Sequence, residues 1–224
     1  MSYSYVLKSK TDSSIEDKRY DLFKDINFKK YFLDNNIKLS ATLSSYFDIT
    51  KEHYHFLAYV SNFINNGKII DTGTHRGGSA LAFSYNQSNK IYTYDIEPFK
   101  GGITANVSNI PDNIIYDSST NIIDLINTNP EQILDSDIFF VDINHEGPDE
   151  ITIYNFLQKN KYKGIFILDD IHLNNEMREF WNYIQNTNNL SYDVTRLAHL
   201  IDNAGTGVVF FDDDNPYIKR IQNL

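Results

Sequence analysis

The 224-residue chain contains no cysteine. Disulfides and thiolate metal sites are therefore excluded. No stretch approaches the roughly 18 consecutive apolar residues of a membrane span. The opening residues, MSYSYVLKSKTDSS, lack the apolar core of a secretory signal. The expectation is a cytoplasmic protein with no membrane partner. Basic residues are also few: 20 Lys and Arg face 30 Asp and Glu, giving a net charge of −10. Phosphate contacts need clustered cations, so a general nucleic-acid binder is disfavoured. One local basic cluster, Lys8, Lys10, Lys18 and Arg19, stands apart. There is no internal repeat and no long linker.

What is present is a globular composition, 41% hydrophobic and 22% charged. Residues 1–48 are polar and read as an N-terminal helical extension or cap, with one helix over Ser14 to Phe32. Residues 49–224 read as the main domain. Thr50 looks like an N-cap, followed by helical spacing through Tyr54, Leu57, Ala58, Val60, Ser61 and Ile64. Asn65, Asn66 and Gly67 then stop the helix.

Strands and helices alternate from there. Strands are expected at Lys68–Asp71, Lys90–Asp95, Ile114–Tyr116, Ile138–Asp142 and Gly164–Leu168. Helices are expected from Ser79, over Thr120–Leu125, Asp149–Lys159 and Asn175–Asn186. Two last strands, Tyr192–Leu197 and Val208–Phe211, have no room for a helix between them and should pair antiparallel. The class is α/β: a Rossmann-like, doubly wound, mostly parallel sheet with a C-terminal antiparallel strand pair. Ligands in such sheets bind beyond the carboxyl ends of the strands. Asp71, Asp95, Asp142 and Asp169 all fall there. A strand tip tolerates one Asp; four together mark a site.

The loop IIDTGTHRGGSALAFS, residues 69–84, carries the second signal. Gly73, Gly77 and Gly78 permit close backbone approach, and Ser79 opens a helix whose amides favour an anion. The dinucleotide pattern G-x-G-x-x-G is absent, as are the Walker sequence and its Lys. An NAD-dependent oxidoreductase and a nucleoside triphosphate are thus disfavoured.

The loop resembles motif I of class I S-adenosylmethionine (SAM)-dependent methyltransferases. Asp71, Gly73, Gly77 and Ser79 match it. The resemblance spans roughly residues 50–212 and is closest to small-molecule O-methyltransferases of the macrocin and rhamnosyl type. Their loop, D-x-x-H segment and D-D pair read here as Asp71 through Ser79, Asp142 with His145, and Asp169 with Asp170. Thr72 replaces a usual Ile or Val, and the Tyr often found after the His is absent. The resemblance implies SAM held by Asp71, Gly73, Thr74, His75, Gly77, Ser79, Asp95 and Asp142. Asp117 and Ser118 would lie near adenine, though they also suit an ordinary turn. It also implies a hydroxylated small-molecule acceptor, a sugar by preference, and a homo-oligomer. A non-catalytic SAM- or nucleotide-binding module and an N-methyltransferase of amino sugars are the alternatives.

Asp142 and Asp169 should end adjacent strands, about 4.8 Å apart. Carboxylates that close repel unless a cation or proton intervenes. With the oxygen-only donor set and the resemblance, this points to Mg²⁺ or another divalent cation on Asp142, Asp169 and Asp170. Asp170 could instead cap the following segment. His145, three residues past Asp142, is the candidate base. His172 either shapes this loop or caps the next helix. Arg76 lies in the cofactor loop, where backbone matters more than side chain. His53 and His55 read as structural or near the entrance, and His199 and Asp202 as a substrate-facing loop. Asp212 to Asp214 read as solvated surface, and Phe180 and Trp181 as core.

Overall fold

A computed structural model describes residues 21–48, 53–97, 101–198 and 204–224. Lys8, Lys10, Lys18, Arg19, Thr50, His199 and Asp202 lie outside the described residues.

The described chain begins with helical residues 21–23 and α1 (Phe28–Asp34). The expected single helix reaching Phe32 is thus broken: Asn27 caps a new helix, its side chain accepting from the Lys30 amide. There follow β1 (Lys38–Leu39), α2 (Ala41–Tyr46) and α3 (Tyr54–Ser61). The alternating part contains β2 (Lys68–Thr72), α4 (Gly78–Phe83), β3 (Lys90–Tyr94), α5 (Gly102–Asn106), β4 (Val107–Ser108) and β5 (Ile114–Asp117). It continues through α6 (Ile122–Thr128), α7 (Glu131–Leu134), β6 (Ile138–Val141), α8 (Pro148–Lys159), β7 (Ile165–Asp169) and α9 (Asn175–Thr187). The chain closes with β8 (Ser191–Asp193), α10 (Thr195–Ala198), β9 (Thr206–Val209) and α11 (Ile218–Gln222).

Seven strands form one sheet in the order β5-β3-β2-β6-β7-β9-β8. The five through β7 are parallel, and β9 pairs antiparallel with both β7 and β8. The expected C-terminal antiparallel pair is present. Its connection differs: a one-turn helix, α10, does fit between the strands, because the first ends at Asp193, four residues earlier than expected. The order reverses between β2 and β6, which opens a crevice at their carboxyl ends.

Residues of β6 and β7 are buried on both faces, which is why they read as continuous apolar runs. Phe140 and Ile167 face one core with α3 and α4; Phe139 and Phe166 face the other with α8 and α9. Phe180 and Trp181 belong to that second core. Phe23, Phe28, Tyr31 and Phe47 of the N-terminal extension join the first core, so residues 21–48 pack as part of the sheet's covering layer. Lys38 and Leu39 also pair with Ser108 and Val107 in a separate two-stranded sheet.

Candidate active site

The parallel register brings the acidic residues together. Val141 pairs with Leu168, so Asp142 and Asp169 follow at the same level of adjacent strands. The backbone then splits the Asp pair. Asp169 ends β7 at 5% exposure; its Oδ2 lies 3.3 Å from Nδ1 of His53, and its Oδ1 accepts from the Thr206 hydroxyl. Asp170 adopts φ +56, which turns its carboxylate toward His145 instead.

Nε2 of His145 lies 3.3 Å from Oδ1 of Asp142 and 3.4 Å from Oδ2 of Asp170. These three residues offer ligand atoms that all fall within 4.8 Å of one another. The imidazole nitrogen is buried, yet makes no well-aligned hydrogen bond. Burial opposes its charge, but pairing with Asp142, then the charges of Asp170 and Asp169, outweigh it and raise the imidazole to about 9. With the imidazole neutral, it and the two carboxylates form a donor set that suits a divalent cation.

His145 also has positive φ, +56. Strained residues persist where their surroundings over-determine them. Here Glu150, 1% exposed, accepts the amides of His145 and Gly147. Asn174 donates to the His145 carbonyl at 2.8 Å while capping α9. Sequence reading missed both residues. The signal for Glu150 was available: an acid at the third helical position reaching back to the cap.

The loop after β2 is built just as tightly. Gly73 has φ +82, and a Cβ there would stand 1.5 Å from the Asp142 carbonyl oxygen. Asp71 lies inside β2 rather than at its tip, fully buried. Thr93 donates to its Oδ2 at 2.6 Å, and the Thr74 hydroxyl lies 2.6 Å from that of Thr93. Burial, opposed by the Thr93 hydrogen bond and the nearby Ser79 hydroxyl, raises the Asp71 carboxyl to about 7. Its Oδ1 has no hydrogen-bond partner. That orphaned acceptor suits an ammonium group. Gly77, at φ +89, caps α4 as expected of a tight turn.

A cavity of about 360 Å³ opens beside this loop. Gly73, His75, Asp95 and Asp142 line it, as expected, together with Ile96, Asn121, Ile143 and Asp149. Asp95 receives the His75 and Ile96 amides. Asp71, Thr74, Gly77, Ser79, Asp117 and Ser118 are not among its lining residues. Asp117 instead accepts from Ser119 and Thr120, and these bonds hold its carboxyl low. Thr120, Asn121 and Ile122 form the wall there. Among the described residues, three carboxylates and no lysine or arginine line the cavity, which favours a cationic, phosphate-free ligand.

Solved structures with this architecture include a Bacillus cereus O-methyltransferase in complex with S-adenosylhomocysteine (SAH). It is 14% identical, at a TM-score of 0.51, over 92% of this chain and 94% of that one. The chain has the class I methyltransferase fold. A SAH-bound Podospora anserina methyltransferase is similar in the same way: 12% identity, TM-score 0.53, covering 95% of this chain and 100% of that one. No family model and no curated sequence matches the chain. On this methyltransferase fold, the cavity sits at the β2–β6 switch point and the Asp142–His145–Asp170 cluster beside it.

Proposed function

We propose that the protein is a SAM-dependent O-methyltransferase that uses a divalent cation, Mg²⁺ by preference, on a hydroxyl of a small molecule. The observation that carries this reading is the adjacency of two sites. The acidic, phosphate-averse cavity shares Asp142 with the cluster of His145 and Asp170. Both neighbouring structures named above hold SAH, which supports the donor. The D-x-x-H and D-D spacing supports a sugar acceptor, and the same resemblance supports a homo-oligomer.

When bound, SAM supplies an electrophilic methyl group, and the cation supplies charge that acidifies the acceptor hydroxyl. The chain does the rest. Asp95 accepts the ribose hydroxyls. Asp71 Oδ1 is the acceptor for the amino group, directly or through water. Asp142 and Asp170 would hold the cation, with Asp169 beside them. His145 must be neutral to take the acceptor's proton. Its carboxylate neighbours favour the protonated imidazole, so a cation that took up their charge would favour the neutral base. Fixed elements keep donor and acceptor in line.

Calorimetric titration of SAH, with Mg²⁺ and with chelator, tests the reading. Micromolar binding in both conditions is expected. No binding in either discards it. Among the described residues no helix is long and apolar enough to cross a membrane.

A further inference from the structure

We propose that His172, Asp193, Thr195 and Thr206 form a hydrogen-bonded brace that positions the Asp169–Asp170 turn from behind, so that β8 and β9 tune cation affinity without supplying a ligand. This rests on the divalent-cation reading above.

The brace is continuous. Nε2 of His172 lies 2.8 Å from Oδ2 of Asp193. Oδ1 of Asp193 accepts the Thr195 amide at 3.0 Å and the Thr195 hydroxyl at 2.5 Å. That same hydroxyl oxygen accepts the Thr206 amide at 3.2 Å. The Thr206 hydroxyl donates to Oδ1 of Asp169 at 3.3 Å. Each hydroxyl proton is used once, and each runs toward a carboxylate. The Asp193 carboxylate leaves the His172 nitrogen only the donor role.

The path begins two residues after Asp170 and returns one residue before it. The turn it encloses is strained, since Asp170 holds φ +56. Backbone bonds reinforce the enclosure: the His172 amide donates to the Ala204 carbonyl at 2.6 Å. Gly205 passes beneath at φ +90, where an added Cβ would come within 2.6 Å of the His172 ring. The turn therefore has contacts from β8, β9 and the residues just before β9, none of which carries a candidate ligand. Outer partners of this kind commonly change metal affinity by about 10–100-fold when removed.

The full-length chain is titrated with Mn²⁺ by calorimetry, as wild type, Asp193→Asn, Thr195→Val and Thr195→Ser. SAH affinity and thermal midpoint are measured alongside. Asp193→Asn and Thr195→Val should each weaken Mn²⁺ binding about 10-fold, with SAH affinity within about twofold. Thr195→Ser, which keeps the hydroxyl, should retain wild-type Mn²⁺ affinity. If Asp193→Asn or Thr195→Val fails to fold, the remaining variant and the serine control decide. Equal Mn²⁺ affinity across wild type and variants overturns the brace while leaving the cation reading intact. A wild-type chain that binds no Mn²⁺ overturns the cation reading, and the brace's role falls with it.

Discussion

Nε2 of His145 stands 3.3 Å from Oδ1 of Asp142, three residues back along the chain. The pair exists because Asp142 leaves β6 at its tip and His145 turns back through a left-handed backbone conformation. Glu150 holds that turn. Glu150→Ala leaves two backbone amides, one partly buried at His145 and one buried at Gly147, without their acceptor. A loss of about 2–4 kcal/mol in urea denaturation is expected, with methyl transfer falling about 10-fold or more. Glu150→Gln should recover part of both. An unaffected Glu150→Ala protein would show that the turn is held by other means.

The loop carboxylates make separable predictions. Asp95→Ala should weaken SAH binding about 10–100-fold, the worth of charge-assisted hydrogen bonds. Asp117→Asn should change it less than about threefold, since Asp117 serves its own turn. SAH titration of the two variants checks both. A larger loss at Asp117 would restore the adenine role implied by sequence resemblance.

Asp71 predicts a pH signature. Folded, it keeps its proton up to about pH 7; unfolded, it would lose it near its ordinary value of 3.8. Between these values the unfolded chain binds fewer protons, so this contribution to stability declines as pH rises from about 4 to 7 and is then gone. Asp71→Asn should remove that decline. At pH 8 the variant should be more stable than wild type by about 1–4 kcal/mol in urea titrations. SAH affinity should fall at least about 10-fold. A variant less stable at pH 8 would mean Asp71 is ionised at no cost in the fold.

The cation reading predicts that Asp142→Asn and Asp170→Asn each lower Mn²⁺ affinity about 10-fold or more. Asp169→Asn separates two roles for the Asp pair. If Asp169 serves as a ligand it should behave like its neighbour; if it serves only His53 and Thr206, it should cost stability and spare Mn²⁺ affinity. Calorimetry with parallel thermal melts distinguishes the two.

Much of this site was legible because parallel strands buried on both faces declare themselves as apolar runs, and their ends as acids. The runs ending at Asp142 and Asp169 gave the adjacent strands correctly. Asp71 was expected to end its strand, which runs one residue further, to Thr72; its full burial carried no signal in the sequence, and Thr93 makes it tolerable. The two-residue strands β1 and β4 have no local signal, since each exists only through its partner. The meeting of His53 with Asp169 joins two distant segments through tertiary packing that spacing does not encode. The break at Asn27 was readable in principle as a cap inside an apparent helix.

Gly73 and the Asp142 carbonyl touch backbone to backbone, and the Asp142 amide donates to the Thr72 carbonyl at 3.1 Å. Nothing adjustable lies between the loop that would seat the methyl donor and the loop that would seat its acceptor. Reach across the reaction is therefore fixed at the floor of the site by main-chain contact. Acceptors of different size must be accommodated from above, by the walls, while the two reacting ends keep one gauge.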